Sequence, residues 1–354
     1  MVLAVEEKNH LQQTLDWVPS PNFNLALRNL LLREIAGNVL SEIPMLQELA
    51  QSVSEEISIF NIRKKESFVK VAGVDAGSQI IPLASKQYAV IGALAYRLPD
   101  CVRFFLSPES IIQNYNDFKN GLSSLVNIRR EAKLFETATS FLERYPDTEL
   151  VLIDGPLAFS NFWNNGCKED EQRRLIDSIN ELLLYCRDNE IHLAGIVKRP
   201  SARYLLNYIG MVDEGNFNDV SVLNKILNPG ERTDIFSPQT ALRMAVKNSY
   251  IMDLIHYPIY SFYARLSNEW NIPPIRIDLP VYSLGYIEEI AGYCYSTSIW
   301  QGVPLPIIRA DEEVKVSRKF IADVYSEILA RVGRESGDIS QLVPYWGEGG
   351  WMGV

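Results

Sequence analysis

Histidine and cysteine are scarce in this chain of 354 residues, which has only three of the former and four of the latter. His10, His192 and His256 lie far apart along the sequence, and no two cysteines are closely spaced. The chain therefore offers few residues for zinc sites of the Cys/His type or for Ser/His/Asp catalysis. Any catalytic or metal site must be built mainly from carboxylates.

An excess of positive charge and long apolar runs are also absent. The chain has 34 Lys and Arg against 44 Asp and Glu, a net charge of −10, so a nucleic-acid site would have to be a local patch. Acidic residues stand near the start, where a secretory signal would be basic, and the apolar stretch 88–96 has about half the length of a membrane helix. With 47% apolar and 22% charged residues, we expect a soluble, globular, cytoplasmic protein without membrane segments.

Apolar periodicity predicts an α/β fold with a mixed sheet. Residues 22–54 carry apolar residues at helical intervals interrupted by Gly37 and Pro44, which indicates two or three N-terminal helices. An antiparallel β-meander and then βαβ units are expected to follow. The predicted elements of this part are strands 68–75, 87–96 and 102–106, helix 121–145, strand 149–155, helix 169–188 and strand 191–197.

The second half of the chain is less regular. Residues 213–245 are interpreted as a helical and irregular insertion, because Asn, Asp, Gly and Pro are frequent there. Strands are predicted within 252–265 and 274–279, and a helix over 310–332. The expected organisation is a helical segment 1–65, a main domain 66–332 and a flexible, glycine-rich tail 333–354.

Two predicted strands end in an aspartate followed by small residues, Asp75-Ala76-Gly77-Ser78 and Asp154-Gly155-Pro156. Each motif alone is also typical of an ordinary turn after a strand. Together they would place two carboxylates at one edge of the sheet, where Mg²⁺ or Mn²⁺ finds the oxygen ligands it prefers. Two such ions stabilise the attacking and leaving oxygens of phosphodiester cleavage, and the glycines would let a substrate backbone approach closely.

The helix between these strands carries Glu131 and Glu136, and either could complete a metal site; a solvated helix face is the alternative. Basic side chains near the same elements are candidates for contacting DNA phosphates, although surface charge balance would also explain them. These candidates are Arg129 and Arg130 on the helix, and Lys198, Arg199 and Arg203 after strand 191–197.

With these motifs the sequence resembles the NurA family of DNA nucleases. VAGVDAGSQ and LVLIDGPL correspond to the family's two strands that end in Asp-Gly-Ser and Asp-Gly. The resemblance runs from about Val71 to Ser317 and continues through IVKRPSARYLL, GERTDIF, YPIYSFYARLS, RIDLP and GVPLPIIRADEEVKVS. It implies a ribonuclease-H-like core, a ring-shaped homodimer, Mn²⁺- or Mg²⁺-dependent DNA cleavage with 5′ end resection, and a HerA-type hexameric ATPase as partner.

The resemblance also implies roles for individual residues. Asp75 and Asp154 match the metal-binding aspartates, and Glu136 matches the helical glutamate better than Glu131, the reserve choice. The late family motif, Gly-Tyr-Pro and then Ala-His, here has Val303 for the tyrosine and Asp311 for the histidine. An aspartate can still bind a hard cation, whereas valine supplies no hydroxyl.

The resulting hypothesis is a 5′–3′ exonuclease and single-strand endonuclease. Asp75, Glu136, Asp154 and Asp311 would hold two divalent ions, and Lys198 would stabilise the developing charge. One alternative is a sugar-kinase or actin-type ATPase, because GVDAGSQ resembles the first phosphate loop of those enzymes. The other is an inactive NurA-like scaffold, which the replaced signature residues favour. The retained carboxylates argue against a scaffold, because they would repel each other in an empty site.

Overall fold

The computed structural model describes residues 23–65, 67–83, 86–114, 121–158, 169–211, 217–245, 254–269, 271–299 and 301–342. Contacts divide the chain into two compact units, residues 1–52 and 53–354. The described part of the first unit is helical. The second unit contains a ten-stranded sheet.

A single helix, α1 (Phe23–Glu56), stands where two or three helices were predicted. It runs through both Gly37 and Pro44 without a break, so that prediction is wrong. A proline within a helix removes one backbone hydrogen bond and crowds the carbonyl group one turn before it, but the turns on either side keep their hydrogen bonds.

The strands of the second unit form one mixed sheet. In chain order they are β1 (Ile59–Asn61), β2 (Val71–Pro82), β3 (Lys86–Leu98), β4 (Val102–Phe105), β5 (Glu109–Asn114), β6 (Leu150–Asp154), β7 (His192–Val197), β8 (Glu231–Thr233), β9 (Ile259–Ala264) and β10 (Ile275–Pro280). Their order across the sheet is β1-β8-β9-β10-β7-β6-β2-β3-β4, and β5 pairs with β3. The pairs β2–β6 and β6–β7 are parallel, and the remaining pairs are antiparallel.

Helices cover both faces of this sheet. They are α2 (Leu122–Arg144), α3 (Glu169–Asp188), α4 (Tyr204–Tyr208), α5 (Asp219–Ile226), α6 (Pro238–Ala245), α7 (Ile287–Thr297), α8 (Leu305–Val314) and α9 (Arg318–Ser336), with 3₁₀ turns at Val281–Tyr286 and Ser340–Leu342. One buried cluster joins the sheet to α2 and α3 through residues such as Phe135 and Leu182. A second cluster joins the opposite face to α7 and α8 through residues such as Ile290 and Ile307.

The fold is the α/β arrangement with a mixed sheet that the sequence predicts, and its strand order agrees with the ribonuclease-H-like core that the resemblance implies. The antiparallel meander is β2-β3-β4, and the βαβ units are the parallel strands β2, β6 and β7 with α2 and α3 between them. The observed α3 has the predicted bounds, and α2 differs from its prediction by one residue at each end. A marked apolar stripe on each helix explains this accuracy.

Some elements differ from the prediction because tertiary contacts decide them. The insertion 213–245 contributes β8 to the sheet, although this strand has only three residues and pairs with β1 and β9. The single helix predicted over 310–332 is two helices, because the Ser317 side chain accepts a hydrogen bond from the Phe320 amide and begins α9 there. β5 and α7 were not predicted.

The expected tail boundary at residue 333 lies inside ordered structure. α9 continues to Ser336, and the Tyr325 hydroxyl donates a hydrogen bond to the carbonyl oxygen of Leu342. The rest of the predicted tail, residues 343–354, lies outside the described residues. Among the described helices, none combines the length and the apolar character needed to cross a membrane.

Candidate active site

Asp75 and Asp154 lie side by side on the two parallel strands. The last paired positions of β2 and β6 are Val74 and Ile153, and the aspartates follow immediately. Asp154 ends β6 as predicted, but Asp75 does not end β2, which continues to Pro82 on its pairing with β3. What ends at Asp75 is the contact with β6, so the sheet opens at this point.

Two glycines on β2 bring α8 against the strand. A Cβ atom at Gly73 would lie 2.2 Å from the Pro306 carbonyl oxygen, and one at Gly77 would lie 2.6 Å from that of Val314. Both glycines share a strand face with Asp75, since side chains on alternate residues point the same way. The expectation that Gly77 makes room for substrate therefore needs correction: the space beside it holds a helix backbone.

Through this close packing, α8 places a third carboxylate beside the two strand aspartates. Asp75, Asp154 and Asp311 each offer an oxygen, and the three atoms lie within 4.8 Å of one another. Asp75 is only 9% exposed, whereas the Asp311 side chain is 51% exposed. The cluster therefore extends from the interior to the protein surface.

Lys198, which follows β7, holds these acids together. Its Nζ lies 2.5 Å from Oδ2 of Asp154 and 3.0 Å from Oδ1 of Asp311. Burial lowers the pKa of Lys198, but the surrounding aspartates outweigh this effect and raise the pKa overall. The ammonium group thus stays protonated and offsets part of the repulsion within the cluster.

The environment of the two strand aspartates favours their protonated forms. Burial, followed by the charge of Asp154, raises the pKa of Asp75 to about 8. Burial also raises the pKa of Asp154, although Lys198 opposes the shift. Carboxyl groups that are reluctant to ionise alone are stabilised in their charged form by a nearby cation.

Glu131, rather than Glu136, lines the same cavity as the three aspartates. Glu131 is 7% exposed, and burial raises its pKa. Its Oε1 accepts a 2.8 Å hydrogen bond from Arg130, while Oε2 is buried with no hydrogen-bond partner among the described residues. That oxygen faces Gly155, where a Cβ atom would lie 3.7 Å from it.

Glu136, the glutamate preferred from the sequence, lies outside the site. Both of its carboxylate oxygens accept hydrogen bonds from Arg174, at 2.7 and 2.8 Å. Five residues along a helix correspond to a rotation of about 140° from Glu131, so the two glutamates face different ways. Helical phase therefore brings the reserve choice, Glu131, and not Glu136, to the cavity that Asp154 lines.

This donor set fits a divalent cation. All the groups are hard oxygen ligands, and buried Oε2 of Glu131 lacks a protein partner among the described residues. A lysine ammonium bridges two of the carboxylates, as a cation would. Asp75, Asp154, Asp311 and Glu131 are the residues that would hold Mg²⁺ or Mn²⁺.

Comparisons with known proteins identify the family. Residues 56–316 match the family model described as the NurA domain. The chain belongs to the NurA family. The resemblance noted in the sequence is thereby confirmed, and membership of a nuclease family decides against the sugar-kinase alternative. No curated protein matches the sequence.

Solved NurA structures have the same fold. The NurA nuclease from Sulfolobus solfataricus is 18% identical, with a TM-score of 0.61 over 89% of this chain and 98% of its own. A NurA structure with manganese is 12% identical, with a TM-score of 0.55 and coverages of 86% and 98%. A NurA structure bound to dAMP and manganese is 14% identical, with a TM-score of 0.53 and coverages of 85% and 96%.

In this NurA chain the carboxylate cluster lines an open cavity of about 430 Å³. Three of the predicted phosphate-contacting residues line it too, namely Arg130, Lys198 and Arg199. The other two are engaged elsewhere: Arg129 binds both oxygens of Glu171, and Arg203 donates to a backbone carbonyl oxygen. Val303, which replaces the family tyrosine, is buried in the core.

Gly73 is the site-building residue that sequence reasoning missed. Its signal was present, because Gly73, Asp75 and Gly77 alternate along one face of a strand. Alternate glycines around an acid indicate that another backbone lies close to that face.

Proposed function

We propose that this NurA-family chain is a divalent-metal-dependent DNA nuclease that degrades DNA from 5′ ends and cuts single strands. The observation that carries the proposal is the convergence of Asp75, Asp154, Asp311 and Glu131 at one open cavity. The raised pKa values of Asp75 and Asp154 support it, because such a cluster is unfavourable unless a cation binds there.

The four carboxylates would hold Mn²⁺ or Mg²⁺, and we propose two ions. Asp75, Asp154 and Glu131 form the buried side of the site, and Asp311 forms its exposed side. When bound, the ions would lower the pKa of an attacking water and stabilise the leaving 3′ oxygen.

The basic residues of the cavity would bind the DNA backbone. Lys198 and Arg130 are paired with site carboxylates, and Arg199 lines the same cavity. With a cation bound at the carboxylates, Lys198 and Arg130 would be free to bind phosphate oxygens. Lys198 would then stabilise the charge that develops at the scissile phosphate.

The wider role that we propose is DNA end resection during repair, in the cytoplasm, by a homodimer that works with a HerA-type hexameric ATPase. Membership of the NurA family supports this assignment. The net charge of −10 fits it too, since a local cavity and a helicase partner would supply the affinity for DNA that the whole surface lacks.

The alternative is an inactive NurA-like scaffold, favoured by Ala76 in the first motif and by Val303 and Asp311 at the family's tyrosine and histidine positions. Asp311 nevertheless lies among the other carboxylates, where it can serve as a metal ligand. Buried Oε2 of Glu131, for which the described residues offer no hydrogen-bond partner, also argues for a site that still binds a cation.

The test is cleavage of end-labelled single- and double-stranded DNA with Mn²⁺, Mg²⁺ or EDTA. Wild type is compared with Asp75→Asn and Asp154→Asn, and Glu136→Gln serves as a control outside the site. We expect metal-dependent cleavage that both aspartate variants lose and the control retains. No cleavage by wild type with any metal, even with a HerA-type ATPase present, would favour the scaffold.

A further inference from the structure

A fully buried carboxylate, Asp278, lies two strands away from Asp154. It is on β10, which pairs with β7, and β7 pairs with β6. Ile153, Gly195 and Asp278 form one row across these three strands. Residues directly opposite each other share a face of the sheet, so Asp278 points toward the same side as Gly195. Asp278 belongs to the RIDLP motif, to which the proposed nuclease chemistry assigns no role.

The turn that begins with Gly155, directly after Asp154, crosses the sheet along this row. The Gly155 amide donates a hydrogen bond to the Ile196 carbonyl oxygen at 3.1 Å. A Cβ atom at Gly195 would lie 2.7 Å from the Gly155 carbonyl oxygen and 2.9 Å from the Leu157 side chain. Glycine at position 195 therefore lets the turn lie directly on β7 and reach β10.

At β10 the carboxylate of Asp278 holds the end of this turn. Its Oδ2 accepts hydrogen bonds from the Leu157 amide at 3.0 Å and the Ala158 amide at 3.4 Å. On the other side, Ser261 donates to Oδ1 at 2.7 Å, and Arg276 donates to both oxygens at 2.8 and 3.1 Å. Both oxygens of the carboxylate therefore accept hydrogen bonds, and Asp278 is anchored to the sheet while it binds the turn.

The geometry points to Asp278 as a positioning residue for the metal site: it fixes the turn that follows Asp154 and thereby the orientation of the Asp154 carboxylate. The inference rests on the proposed function and deepens it. Without this anchor, two buried amides would lose their acceptor, and the turn could lift from Gly195. Such a shift would move Asp154 and also Gly155, which faces Oε2 of Glu131.

The experiment measures Mn²⁺ affinity by calorimetry on the full-length protein without DNA, alongside its chemical unfolding. Asp278→Asn keeps the size of the side chain but replaces one accepting oxygen with a donor. We expect it to weaken Mn²⁺ binding by about tenfold or more, the usual effect of removing a partner behind a metal ligand. Ser261→Ala, which leaves the Arg276–Asp278 ion pair intact, should weaken binding in the same direction by less.

Asp219 provides a matched control. It is also buried, at 1% exposure, and accepts hydrogen bonds from the backbone amides of Leu205 and Leu206 and from the Tyr263 hydroxyl. It holds the start of α4 rather than the turn after Asp154. Asp219→Asn should lower stability to a comparable degree while Mn²⁺ affinity stays within about twofold of wild type.

The outcomes separate the inference from the function on which it rests. Weaker Mn²⁺ binding in Asp278→Asn than in Asp219→Asn supports the inference. Equal affinities in these two variants overturn it, and if Asp278→Asn does not fold, unchanged affinity in Ser261→Ala overturns it instead. If wild type itself binds no Mn²⁺, the proposed function fails, and the positioning role fails with it.

Discussion

Replacing Asp75 with asparagine should stabilise the metal-free protein at neutral and higher pH. Burial and the neighbouring Asp154 raise the pKa of Asp75 from 3.8 to about 8 in the folded chain. Between these values the folded protein binds one more proton than the unfolded chain. The free energy of unfolding therefore falls as the pH rises through this window, by up to about 1.4 kcal/mol per unit. Asparagine has no such charge, and its side-chain oxygen can still accept the 2.7 Å hydrogen bond from the Ala76 amide.

The magnitude follows from the same pKa values. From pH 5.5 to 7.5, wild type should lose about 2–3 kcal/mol of unfolding free energy relative to Asp75→Asn. Urea unfolding of both proteins in EDTA at the two pH values measures this difference. If the unfolding free energies of wild type and Asp75→Asn depend equally on pH, the argument that Asp75 destabilises the metal-free protein is refuted.

Manganese should reverse the order of stability of wild type and Asp75→Asn. Because a bound cation favours the ionised carboxylate, Mn²⁺ affinity should rise with pH up to about 8, and binding should release protons. Mn²⁺ should therefore raise the unfolding temperature of wild type more at pH 7.5 than at pH 5.5, and leave that of Asp75→Asn nearly unchanged. Stabilisation of the variant to the same extent would exclude Asp75 as a ligand.

Three further substitutions, two of them with a control variant, test other parts of the site. Glu131→Gln should lower Mn²⁺ affinity by about tenfold or more, while Glu136→Gln leaves it unchanged; calorimetry on both decides which glutamate is the ligand. Lys198→Met should lower the free energy of unfolding of the metal-free protein by about 1–3 kcal/mol. It should also raise Mn²⁺ affinity and slow DNA cleavage. A fall in both affinity and cleavage would contradict the idea that the Lys198 ammonium competes with the cation for the carboxylates. Gly73→Ala adds an atom 2.2 Å from an α8 carbonyl oxygen, so it should lower the free energy of unfolding by about 1–3 kcal/mol and weaken Mn²⁺ binding. Gly92→Ala, with open space around the added atom, should change stability little.

The sequence predicted the strand aspartates because their signal is local. An apolar strand followed by an acid and small residues can be seen within ten residues, as in LVLIDGPL around Asp154. The helices α2 and α3 were predicted equally well, because an apolar stripe with a period of 3.6 residues is also local. For the same reason the order of the βαβ units was correct.

The sequence alone could not decide between the two glutamates, because the choice depends on how α2 is rotated about its axis. Glu131 and Glu136 are both acids on one helix, and the matching of family motifs alone favoured the latter. The buried side of α2 includes Ala132, Phe135 and Ala138, and only a structure shows that this side turns Glu131 toward Asp154. The three-residue strand β8 was missed for a related reason, since its partners β1 and β9 are distant in sequence.

The interactions that stabilise the metal-free site would also prepare it for DNA. Lys198 bridges Asp154 and Asp311, and Arg130 binds Glu131, so two cations offset the charge of buried acids. A divalent ion would compete with both for their carboxylate partners, and each side chain that it displaces gains freedom to bind a phosphate oxygen. Metal binding should therefore precede and strengthen DNA binding in this cavity. The basic residues would thus act twice, first as counter-ions of the acids and then as ligands of the substrate.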